Sequence, residues 1–212
     1  MATFAQVDFK SWAIHPPPPS LRGARLFPVC DQNATTPCFK LVDAPVLTTP
    51  FGATSYDEGG TRLTLDFYIE DEHVAFFKGL DKHFIAFIAA NSERLLKKSY
   101  TIAQVTELYR PFVTVREGWP PSIRTKVNTI GARRVRVWTA DLKCLEELPA
   151  AQELREAKLC PVLAVKGMWC LGGRELGITL ETSHLQIGQS EPRACPFTSS
   201  AFKTAEKESD GA

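Results

Sequence analysis

Two adjacent glycines, Gly172 and Gly173, separate two long, largely apolar runs at residues 161–171 and 175–187. Consecutive glycines supply the positive φ values that a tight hairpin needs, so the two runs are expected to pair as antiparallel strands. A third strand is expected at residues 62–69. There Leu63, Leu65, Phe67 and Ile69 alternate with Arg62, Thr64, Asp66 and Tyr68, and a period of two marks a strand with one buried face. Shorter runs at 24–29 and 38–42 read as further strands, 3–9 as a short one, and 48–60 as a polar loop.

The period changes at residue 72. Val74, Phe77, Phe84, Ile85, Ile88 and Leu95 recur at helical spacing, predicting a helix over 72–96 with Asp71 as N-cap and Lys97 and Lys98 at its negative end. Pro111, Pro120 and Pro121 exclude a long helix from 99–143. Strands are expected there at 122–129 and 134–139, joined by a turn at Ile130-Gly131, and a helix broken at Pro149 over 144–158.

This order predicts a β-rich α+β fold: a small β-barrel of the OB type with an inserted long helix and a C-terminal β-hairpin. An α+β sandwich is the competing architecture. The expected organisation is a Pro-rich N-terminal segment (1–22, with its spacer of four prolines), a single OB-like nucleic-acid-binding domain (23–190) and a flexible C-terminal tail (191–212).

Several function classes are disfavoured. No run approaches the ~18 apolar residues of a membrane span. The first ten residues lack the basic start and apolar core of a secretory leader, so an intracellular protein with six reduced cysteines is expected. Neither cysteines nor histidines show metal-ligand spacing, and no nucleophile elbow, zincin, dinucleotide or P-loop motif occurs. The expectation is a protein with no enzymatic activity, no cofactor and no metal. A site assembled from Asp66, His83 and Glu181 is the weaker enzymatic alternative, and His184 reads as a rim residue.

The charge distribution is more informative than the net charge of +1. Residues 94–136 hold ten Lys or Arg against two acids, a local charge of +8, while the flanking parts are both acidic. This points to one anion-binding region. Tyr100, Tyr109, Phe112, Trp119 and Trp138 interleave with those cations. Cations neutralise phosphates, and flat rings stack on exposed bases, as a single-strand binder requires. Phe112 and Trp138 read as core. Tyr109, beside Arg110 and Pro111, and Trp119, in the loop-like stretch Glu117-Gly118-Trp119-Pro120-Pro121, read as stacking platforms. Alternation places Arg124 and Lys126 on one face, opposite Ile123, Thr125 and Val127, and Arg134 and Arg136 on a shared face. The candidate binding residues are therefore Lys98, Tyr109, Arg110, Arg116, Trp119, Arg124, Lys126, Arg134 and Arg136. A basic patch docking an acidic protein partner is the alternative.

Two blocks carry a family resemblance. One is Tyr109-Arg110-Pro111-Phe112-Val113 with Arg116, Trp119-Pro120 and Ile123-Arg124-Thr125-Lys126-Val127. The other is Cys160 through Trp169 with Leu176-Gly177-Ile178-Thr179. Over residues 60–190 the chain resembles the single-stranded-DNA-binding proteins of nucleo-cytoplasmic large DNA viruses, related to the phage T7 type. The resemblance implies an OB-fold core and sequence-independent binding of single-stranded DNA in replication, recombination or repair. It implies a strand-binding role for Tyr109, Arg116, Trp119 and Lys126, and a core position for Trp169. Single-stranded DNA is the implied partner, with RNA, a homodimer and replication proteins as further candidates, and a viral factory in the cytoplasm or the nucleus as the location. The chain departs from the phage pattern at its end, where Glu206, Glu208 and Asp210 are offset by Lys203 and Lys207 and no terminal aromatic occurs. A tail that switches between partners is therefore not expected.

Overall fold

The computed structural model describes residues 1–17, 26–55 and 60–188. Its spine is the hairpin expected from the glycine pair. Gly172 and Gly173 take φ of 58° and 71°, and β11 (Leu159–Leu171) folds back on β12 (Glu175–Ile187). Two irregularities interrupt their register. Ser183 and Lys166 are each extra residues with no cross-strand partner, which re-aims the side chains beyond them.

Short strands line both edges of this spine. Along the outer edge of β11 lie β2 (Leu26–Cys30), which also pairs β1 (Ala13–Ile14), and β3 (Cys38–Lys40). Along the outer edge of β12, all parallel to it, lie β6 (Tyr109–Arg110), β8 (Trp119–Asn128) and β9 (Arg136–Trp138). The sheet continues from β8 to β5 (Arg62–Tyr68) and β4 (Ala53–Ser55). β7 (Val113–Arg116) also pairs β8, and β10 (Cys144–Leu145) pairs β9.

The strand order β1-β2-β11-β12-β8-β5-β4 has two free ends, so the sheet is open. The expected closed barrel is not formed among the described residues. β1 stops at Ile14, and the prolines Pro16 and Pro17 that follow have no N–H with which to extend a ladder. The mostly-β character with a few helices is as expected.

One face of the sheet carries the core. α1 (Asp71–Ala90) packs Phe77, Leu80, Phe84 and Ile88, all fully buried, against Phe39, Leu65, Phe67 and Ile123 of the strands. Each such side chain contributes about 1.5–3 kcal/mol by leaving water. His73 ties the helix to the β3 side through Nε2 and the Leu41 carbonyl at 3.1 Å. The cap lies one residue before the expected Asp71: the Glu70 N–H donates to His73 Nδ1 at 3.3 Å. The expected single helix breaks at Asn91, whose side chain donates to the Phe87 carbonyl, and α2 (Ser92–Leu96) follows.

Other expectations are corrected. Residues 3–9 form two single 3-10 turns, Phe4–Gln6 and Phe9–Ser11, because Gln6 and Asp8 side chains accept from the Thr3 and Lys10 N–H groups. Residues 102–108 are helical, as α3 (Ile102–Leu108). The helix expected over 144–158 shrinks to α4 (Ala151–Glu156), since the residues before Pro149 pair as β10. The region expected to be a loop at 48–60 contributes β4. The expected tail at 191–212 and parts of the stretches at 16–29 and 48–60 lie outside the described residues.

Candidate nucleic-acid interface

The face of the sheet turned away from α1 is organised by β12. Leu176, Ile178, Leu180, Thr182 and Leu185 are buried toward the core. Alternation then turns Gly177, Thr179, Glu181, His184 and Gln186 outward, with the extra residue Ser183 keeping His184 on that side. Residues in register project from the same face. Gly177 is level with Arg110, Glu181 with Lys126, His184 with Arg136, and Gln186 with Trp138. Three cations brought by three separate strands thus form a rank along one edge of β12. All three are exposed.

A tryptophan stands at each end of this rank. Trp138 lies level with Gln186. Trp169 of β11 lies level with Gly177, and its ring covers the space a side chain there would need: a Cβ on Gly177 would come 2.8 Å from the indole. Both indoles are half-buried. The expected core position of Trp169 is corrected: the core residue is Met168, and alternation sends Trp169 to the opposite face. The same face carries two cations that patterning did not single out. Lys166 reaches Glu181 at 3.7 Å, and Lys40 is level with Val162 and His184.

β8 extends the positive face. Ile123, Thr125 and Val127 are fully buried while Arg124 and Lys126 are exposed, as alternation requires. Arg124 is held by Asp66 across the β5 ladder, Nε to Oδ1 at 2.7 Å and Nη2 to Oδ2 at 2.8 Å, which raises its pKa further. Arg110 is similarly paired with Glu175 at 2.5 Å. Lys126, Arg136 and Arg116 close no ion pair among the described residues.

The remaining expected residues fall elsewhere. Arg116 and Trp119 face each other as a cross-strand pair at the free end of the β7–β8 hairpin, with Trp119 60% exposed. The irregularity between the Thr114–Ser122 and Arg116–Trp119 pairs adds a residue to β8 and so keeps Trp119 on the side of Ser122 and Arg124, not of Ile123. Lys98 lies in the connector between α2 and α3, its ammonium 5.1 Å from the Tyr100 ring centre. Arg134 precedes β9 and is exposed. It lines a separate recess with Val135 and Glu147.

Tyr109 is the clearest correction. It is only 6% exposed, because its partner across the β6–β12 ladder is the core residue Leu176. No base can stack on it. Its hydroxyl lies beside Asp81, close enough for each to shift the other's titration but without a hydrogen bond of full geometry. Burial, with the neighbouring Asp81 charge, lifts the Tyr109 hydroxyl well above its ordinary range. Burial likewise pushes Asp81 up to about 6, although it accepts from the Phe112 N–H at 3.3 Å.

The alternative catalytic grouping does not assemble. His83 contacts the Trp12 carbonyl at 2.9 Å on the helix side, whereas Asp66 and Glu181 lie on the outer face in ion pairs. No cluster of three potential metal ligands occurs among the described residues, and no described helix is long and apolar enough to cross a membrane. The five described cysteines are free thiols.

No family model and no curated protein matches the chain in sequence. Among solved structures it is similar to gp2.5, a single-stranded DNA-binding protein encoded by bacteriophage T7, at 12% identity and a TM-score of 0.48 over 84% of this chain and 98% of that one. It is also similar to the single-stranded DNA-binding protein from bacteriophage Enc34, at 13% identity and a TM-score of 0.42 over 90% and 98%. The Enc34 protein in complex with single-stranded DNA gives 12% identity and a TM-score of 0.40 over 85% and 98%.

Proposed function

We propose that this chain is a non-enzymatic protein that binds single-stranded DNA without sequence preference along the outer face of its sheet. The observation that carries the reading is the rank Arg110, Lys126 and Arg136, set in register along β12 between Trp169 and Trp138. Cations spaced along an extended strand suit a phosphate backbone, and the flanking indoles suit unpaired bases, which duplex DNA keeps stacked inside. Arg124 extends the same surface. Arg116 and Trp119 form a second contact at the hairpin end. Lys98 and Arg134 would meet only a strand that runs beyond the sheet. The sequence blocks around residues 109–127 and 160–179 support placing the protein with those of nucleo-cytoplasmic large DNA viruses, serving replication, recombination or repair.

The test is a titration of the protein with labelled oligo(dT), the matching duplex and heparin at several salt concentrations. The single strand is expected to bind best. Changing both Lys126→Ala and Arg136→Ala is expected to shallow the slope of log affinity against log salt by about 1.4, at about 0.7 per phosphate contact on a single strand. Preference for duplex, or an unchanged slope in the double variant, would overturn the reading.

A further inference from the structure

Beyond Arg136 the outer face opens into a cavity of about 360 Å³, within the range of about 300–1,000 Å³ typical of small-ligand sites. Its walls are mainly apolar: Trp138, Leu142, Val162 and Cys160. The cysteine is anchored, its thiol donating to the Val42 carbonyl at 3.1 Å. Polar groups enter from two strands, Lys40 from β3 and two residues from β12. His184 and Gln186 are outward neighbours on β12, level with Arg136 and Trp138 respectively. The Gln186 amide has no hydrogen-bond partner among the described residues, so both its donors and its acceptor face the cavity unused. Burial and the neighbouring Arg136 charge push His184 below its ordinary value, so at neutral pH its ring carries no charge; Nδ1 meets the Ser183 hydroxyl at 3.3 Å, which leaves Nε2 for a ligand.

From this arrangement we infer that the cavity is a base pocket, which takes one unstacked nucleobase of the bound strand against the Trp138 ring. The inference rests on the single-stranded-DNA reading. An indole wall supplies the stacking surface that every base can use. A free primary amide and a neutral imidazole supply donors and acceptors for the base edge. Arg136 at the lip places the phosphate that precedes the base. Continuity with the cation rank selects a polynucleotide over a free small molecule: Lys126, Arg136 and Trp138 succeed one another along about 15 Å of β12 at the rise of an extended strand. An acidic peptide would leave the apolar walls and the amide unmatched.

The test uses the full chain with two strands of equal length, oligo(dT) and an abasic sugar–phosphate strand. Trp138→Ala removes the platform. Val162→Phe fills the cavity and keeps Trp138. Both variants are expected to bind oligo(dT) about tenfold more weakly, the worth of one stacked base, with the salt slope and abasic-strand binding unchanged. Ultraviolet cross-linking of a bromouracil-substituted strand to the wild-type protein is expected to mark the peptide containing Trp138. Wild-type affinity for oligo(dT) in both variants, equal losses on both strands in both variants, or a cross-link confined to other peptides would overturn the pocket while leaving strand binding intact. Failure of the wild-type protein to bind either strand would instead overturn the function proposed above.

Discussion

Arg124 and Asp66 sit directly opposite each other on β8 and β5 and close two parallel hydrogen bonds, at 2.7 and 2.8 Å. Asp66 is nearly buried in this pair, while the guanidinium remains largely open to solvent. The carboxylate is therefore a built-in counterion that competes with any phosphate approaching Arg124. Asp66→Asn keeps the shape and removes the charge. We expect a loss of stability of about 1 kcal/mol, because a charge-assisted pair is weakened while Arg124 stays solvated. We also expect tighter single-strand binding at low salt, with a slope steeper by up to about 0.7. Denaturant unfolding and a salt-resolved titration measure the two effects. Weaker binding would show instead that Asp66 pre-aims Arg124.

Asp81 gives the stability a pH dependence. Its folded pKa of about 6 lies above the ordinary 3.8, so the folded state holds the proton more tightly than the unfolded chain. The sign follows: stability contributed by the protonated acid is fully present below about pH 4 and is lost as pH rises through 6, a difference of up to about 3 kcal/mol. Asp81→Asn should remove this dependence and stabilise the protein at pH 8, since the amide oxygen still accepts from Phe112. Denaturation midpoints of both proteins at pH 5 and pH 8 would test it. Parallel pH dependence in the two would exclude Asp81 as the source.

The elements readable in the sequence are those specified by neighbours along the chain. Period-two alternation revealed β5 and the core of β8, the glycine pair revealed the β11–β12 hairpin, and helical spacing revealed α1. α3 was also marked locally. Thr101 accepts from the Gln104 N–H, and Gln104 from the Thr101 N–H, a Thr-x-x-Gln capping box. What could not be read was register. Tyr109 is buried and Arg110 exposed only because β6 meets β12 at Leu176 and Gly177. The rank Arg110, Lys126 and Arg136 depends in the same way on three parallel pairings between residues 48 to 67 positions apart. Sequence pattern therefore located the cations but not their alignment.

Gly177 and Trp169 are matched by exclusion. The backbone of Gly177 poses no barrier to alanine, but the added methyl carbon would meet the indole at 2.8 Å. Gly177→Ala should therefore swing the half-buried ring outward, at a cost of about 1–2 kcal/mol from overpacking. The expected signature is a red-shifted tryptophan emission together with a lower unfolding midpoint. An emission spectrum and stability equal to wild type would mean that the ring does not rest on this glycine.

The junction between β8 and β12 is narrow, one register pair at Lys126 and Glu181, and it is held from the core side by Thr125 and Thr182, whose hydroxyls lie 2.7 Å apart and are fully buried. Thr182→Val leaves the Thr125 hydroxyl with only a 3.4 Å contact to the Leu65 carbonyl and should cost about 1–2 kcal/mol, the penalty of a buried polar group losing its partner. Thr125→Val should cost a similar amount. Replacing both removes the unmet need along with the bond, so the double variant should be more stable than the sum of the single losses predicts. Unfolding of all four proteins in urea measures the coupling, and strictly additive losses would refute it. Because this pair fixes where β8 meets β12, the single variants should also loosen the alignment of Lys126 with Arg136, and oligo(dT) affinity should fall in them more than in the double variant.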